Sequence, residues 1–130
     1  MKHFISTILE GTSFTEAEIQ VTEKLKAQGF GILTEIDITG TLKKKLDVDF
    51  KKYKILGACN PQIAYKALKI DDKAGVFLPC NIVVEEHENG SVEVSAVSPV
   101  ASMMSIEHEE IGRLMLEVEQ KLKAVVNSLK

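Results

Sequence analysis

Hydrophobic positions along the chain alternate, then fall at spacings of three and four, then alternate again. Between His3 and Glu10, Phe4 and Ile8 take one side and Ile5 and Leu9 the other, the period-two pattern of a strand covered on at least one face. Phe14, Ala17, Val21 and Leu25 follow as a helical stripe. Ser13 and Glu16 stand at capping-box spacing before it and Gly29 ends it, which predicts a helix over 14–28. Ile32, Ile36 and Ile38 face away from Glu35 and Asp37, as in a half-buried second strand. Leu42, Leu46 and Phe50 then fit a short helix, before a third strand over 53–58.

Asn60 caps the next predicted helix, and Pro61 suits its first turn because the missing N–H would be unpaired there anyway. Its apolar side carries Ile63, Ala64, Ala67 and Leu68, and "DDKAG" closes it with a turn. Val76 to Leu78 and Ile82 to Val84 do not alternate, which predicts a strand covered on both faces with an irregularity at Pro79. Asn89-Gly90 is a strong hairpin signal. Finally, Ile111, Met115, Val118, Leu122, Val125 and Leu129 mark a long amphipathic helix. The elements predict one α+β domain over 1–130: a mixed β-sheet, helices packed mainly on one face, and a long C-terminal helix. Ile19 and Leu116 fall outside their stripes and raise a homodimer surface as an expectation.

Composition narrows the function classes. The 130 residues are 45% hydrophobic and 27% charged, ordinary for a globular protein. A net charge of −3 argues against wrapping a phosphate backbone, so no nucleic-acid partner is expected. No apolar run approaches the roughly 20 residues of a membrane span, and the N-terminal stretch lacks signal-peptide features. The expectation is a cytoplasmic protein with reduced thiols. Six lysines between Lys43 and Lys54, against Asp47 and Asp49, read as a solvated helix face.

The two cysteines each precede an asparagine, in "GACNP" and "LPCNI". Cys59 stands just before the helix that Asn60 opens, a placement that favours a thiolate. Cys80 opens an apolar strand and is expected to be more buried. Their separation matches no standard zinc spacing, and there is no C-x-x-C. Met103 and Met104, beside Pro99, could line a pocket or add soft ligands, which with cysteine favour Cu(I). His87 and His108 read as solvated. No phosphate cradle, G-x-S-x-G elbow or H-E-x-x-H occurs, which lowers the expectation of an enzyme.

The strings "GFGILTEIDITGTLKKKL", "YKILGACNP" and "GVFLPCNIVV" resemble the bacterial and archaeal family catalogued as domain of unknown function 302. The resemblance implies a TATA-binding-protein-like fold of order β-α-β(4)-α, with short extra helices as insertions, and a homodimer. It carries over Cys59, Asn60, Pro61, Pro79, Cys80 and Asn81 by motif, and brings no established activity or cofactor. Three readings follow. In the first, the protein binds a small molecule or soft metal at Cys59, Asn60, Cys80 and Asn81, with Met103 and Met104. In the second, it is a thiol redox or transfer enzyme with Cys59 as nucleophile and Cys80 as partner. In the third, the motifs only shape the fold and function lies on a dimer surface.

Overall fold

A computed structural model describes residues 2–103 and 107–129. Five strands are present among them: β1 (Phe4–Leu9), β2 (Gly31–Asp37), β3 (Tyr53–Cys59), β4 (Cys80–Glu86) and β5 (Val92–Val97). The helices are α1 (Phe14–Ala27), α2 (Ile38–Leu46), α3 (Pro61–Ile70), α4 (Pro99–Ser102) and α5 (Glu109–Asn127), and a 3-10 helix covers Asp72–Phe77. The fold is α+β, and the strands form one sheet in the order β1-β5-β4-β3-β2. Every pairing is antiparallel, where a mixed sheet was expected. The cause is topological: β3 and β4 are joined by α3 and the 3-10 helix yet remain sheet neighbours running in opposite directions. With α2, α3, the 3-10 helix and α4 as insertions, the order is β-α-β(4)-α.

One face of the sheet builds the core. Leu56, Ile82, Val84, Val92 and Val94 are buried there beneath Val21 and Leu25 of α1 and Ile111, Leu122 and Val125 of α5. The 3.6-residue stripes on both long helices thus bury as their spacing predicts, while Ile19 and Leu116 stay more than half exposed. On the other face Val83 and Ser95 are only half covered. Strand β4 therefore has one core face and one half-open face, instead of two covered faces.

Several local expectations change. Val76 and Phe77 belong to the 3-10 helix, and the strand begins only at Cys80, after a cis Leu78–Pro79 peptide. Edge strand β2 is mostly exposed rather than half-buried: it bulges between Ile32 and Thr34, and Ile36 is 45% exposed. Helix α2 starts at Ile38, earlier than expected, because Asp37 caps it by accepting from the Gly40 N–H at 3.1 Å. It buries no residue.

The α1 cap is as read: Ser13 Oγ accepts the Glu16 N–H at 3.1 Å and donates to the Glu16 carboxylate at 3.1 Å. Losing a capping hydroxyl costs about 1 kcal/mol. Ser13→Ala is expected to lower stability by that amount in urea denaturation, with an unchanged m-value.

Candidate functional site

Strand β3 ends at Cys59, and β4 begins at Cys80. The antiparallel register pairs Ala58 with Cys80, so both Cys-Asn units come to the same end of the sheet although 21 residues separate them. There they meet α3, the 3-10 helix, α4 and α5 around a cavity of about 280 Å³. Cys59, Asn60, Cys80, Asn81 and Met103 all line it. Met104 lies outside the described residues. The remaining wall is largely apolar, formed by side chains such as Phe30, Ile63, Phe77, Met115 and Val118. No charged residue lines the cavity among the described residues.

The polar groups of the lining divide into occupied and free. Asn60 is occupied: its Oδ1 accepts from the Ile63 N–H at 3.3 Å as the α3 cap, and its Nδ2 donates to the Gln28 carbonyl at 3.5 Å. The asparagine expected to meet a ligand thus also ties the end of α1 to the start of α3, with a second N–H and a second lone pair beyond those two bonds. A side chain on Gly29 would press on that tie, since an added Cβ would lie 3.1 Å from Asn60 Nδ2. Ser102 is occupied as well, donating to the Ser98 carbonyl at 3.0 Å. Asn81 is exposed, and it borders both this cavity and the open face of the sheet beside Val83 and Ser95. Neither thiol has a hydrogen-bond partner among the described residues.

Placement before a helix N-terminus does not make Cys59 acidic. Burial pushes its thiol above the ordinary value. Asn60 fills the cap with its own side chain, so the position that would favour an anion is taken. Cys80 is shifted further, up to about 11, by burial first and then by the nearby Cys59. Both cysteines are free and partly covered. The site therefore presents two neutral thiols and two thioethers, of Met103 and Met115, on an apolar wall. Such donors could hold a soft cation such as Cu(I), which would displace both thiol protons.

Sequence reasoning found both motifs and Met103, but not Met115 or Val118, which read as part of the last helix's apolar stripe. It also missed Lys51, Glu85, His87 and Glu93, which cluster on the open face. His87, expected to be solvated, holds Glu93 Oε1 at 2.8 Å from Nε2.

A family model described as "Domain of unknown function DUF302" matches residues 5–129. The chain belongs to the DUF302 family. A solved relative, described as "uncharacterized conserved protein DUF302 from Bacillus stearothermophilus", is 27% identical with a TM-score of 0.91, and the match covers 100% of both chains. No curated protein matches. Family membership agrees with the motif-based resemblance and assigns no activity. No helix among the described residues is long and apolar enough to cross a membrane.

Proposed function

We propose that this DUF302 chain is a binding protein whose cavity at the two Cys-Asn motifs takes a small, uncharged, mainly apolar ligand. The observation that carries this reading is the convergence of both motifs on one cavity of about 280 Å³ without a charged lining residue among the described residues. Its size falls at the small end of ligand sites. A charged ligand would forfeit its hydration there with nothing to replace it. The neutral thiols and the two methionines supply polarizable contacts. In this reading Asn60 shapes the site through its tie between α1 and α3.

Native mass spectrometry of untagged protein purified without oxygen tests the reading. The expected spectrum carries an added mass of small-molecule size. Ala64→Phe, which fills the cavity from α3 and leaves both thiols in place, is expected to lower its occupancy at least about tenfold, the factor that 1.4 kcal/mol represents. Full retention in that variant would refute the cavity as the site. An added mass of a copper ion, lost in Cys59→Ser, would replace the apolar ligand with a soft cation.

One observation favours the thiol-redox reading: Cys59 is near enough to Cys80 to push its thiol up, although the register pairs Cys80 with Ala58 and so offsets the two cysteines by one residue. Against it stand the raised thiols, which are poor attacking groups at neutral pH.

The same spectrum reads the oligomer. We infer a cytoplasmic homodimer, supported by two free cysteines and by the exposed apolar side chains Leu33, Ile36, Leu46, Val48 and Phe50 along β2, α2 and the segment after it.

A further inference from the structure

At the opposite end of β4 from Cys80, the ladder sets Glu85 directly across from Glu93 on β5. Like charges opposite one another destabilise a strand pair. These two are also mostly covered, with side chains only 16% and 19% exposed, so water screens them poorly. His87 is fixed beside them by the hairpin: its N–H donates to the Ser91 carbonyl and its carbonyl accepts from the Gly90 N–H. One donor atom from each of Glu85, His87 and Glu93 lies within 4.8 Å of the other two.

We propose that Glu85, His87 and Glu93 form a binding site for a divalent cation of the zinc class. Two carboxylates and one imidazole are borderline donors suited to such an ion, and three protein ligands leave a position open for water. Bonds of about 2.0–2.2 Å need donors roughly 3–3.5 Å apart, so the widest pair, at most 4.8 Å apart, closes by up to about 1.5 Å while His87 Nε2 and Glu93 Oε1, now 2.8 Å apart, open slightly, within reach of the glutamate torsions. His87 binds as the neutral ring through Nε2, with its proton on Nδ1. The present counter-charge is incomplete. Lys51 Nζ sits 2.5 Å from Glu85 Oε1 and offsets one of the two carboxylates, whereas a divalent ion offsets both. Lys51 is 38% exposed and can withdraw its ammonium into water when the ion enters. It is therefore a built-in competitor.

Competition gives the test its signature. Zinc titration by calorimetry on Cys59→Ser/Cys80→Ser protein, which keeps the thiols from capturing the ion, is expected to give one site per chain. Adding His87→Ala is expected to weaken it at least about tenfold, and adding Lys51→Met to tighten it about tenfold. Absence of binding, or binding indifferent to both changes, overturns the proposal as an adventitious surface ion. Should the double cysteine variant not fold, cobalt(II) absorption on the otherwise unaltered chain decides the matter. Visible d–d bands without intense thiolate charge transfer, lost in His87→Ala, support the site. Thiolate charge transfer that persists in His87→Ala, or no bands at all, overturns it.

Discussion

Gly57→Ala is expected to destabilise the folded chain by about 2–3 kcal/mol, the upper range for overpacking a fitted interior. Gly57 is buried in the middle of β3, where β2 and the segment before β4 close over it. A Cβ there would lie 2.8 Å from Pro79 Cγ and still nearer to Thr34 Oγ1. Thr34 is on an exposed edge strand and can turn its hydroxyl away at a modest rotamer cost. The Pro79 ring is tied to the backbone and can yield only by moving the entry to β4. Because Pro79 lines the cavity beside Cys80, that movement is expected to lower ligand occupancy too. Urea denaturation with an unchanged m-value measures the first effect. Thr34→Ala in the Gly57→Ala background is expected to recover about 1 kcal/mol or less, the share of the clash owed to the hydroxyl. A Gly57→Ala protein within about 0.5 kcal/mol of wild type would mean that β3 and Pro79 do not pack this closely.

Gly57 also marks where sequence reading reaches its limit. The stripes of α1 and α5, the capping pair Ser13 and Glu16, and Asn60 with Pro61 are local patterns, and each was legible because its partners lie within a turn or two. The α+β class followed from the order of those elements. What was not legible depends on register. Reading Asn89-Gly90 as a two-residue turn would set Glu85 across from Val94, whereas the chain uses His87 and Ser91 as the closing pair, with Gly90 at positive φ. That one-residue difference moves Glu85 opposite Glu93 and creates the Glu–His–Glu cluster. The cavity shows the same division. Both Cys-Asn motifs were visible as a repeated pair, but their meeting rests on the Ala58–Cys80 register. Helix α2 shows a further limit: the spacing of Leu42 and Leu46 marked a short helix, but not that it would lie along β3 with no buried residue.

Cys80 is expected to alkylate far more slowly than Cys59 below pH 9, and its ionisation to undermine the fold at higher pH. With its thiol pushed up to about 11, Cys80 is only about one part in a thousand thiolate at pH 8, and the thiolate is the reacting form. Cys59 is raised by burial alone and by less, so iodoacetamide followed by peptide mass analysis should label it first. Linkage gives the stability arm its sign. The folded value of Cys80 lies above the ordinary 9.0, so between them the unfolded chain releases a proton that the folded chain keeps. Its contribution is fully present below about pH 9 and is lost as pH rises toward 11, on the order of 2–3 kcal/mol. Lys51 and Lys54, raised chiefly by hydrogen bonds to Glu85 and Glu18, lose stability in the same alkaline range, so the informative quantity is a difference. Cys80→Ser, which cannot titrate there, should show a shallower alkaline decline than wild type. Equal labelling of both cysteines at pH 8 would instead mean an accessible, ionisable Cys80. That outcome would shift the weight from a neutral binding wall to thiol chemistry, because the register already brings the two sulfurs to one end of the sheet.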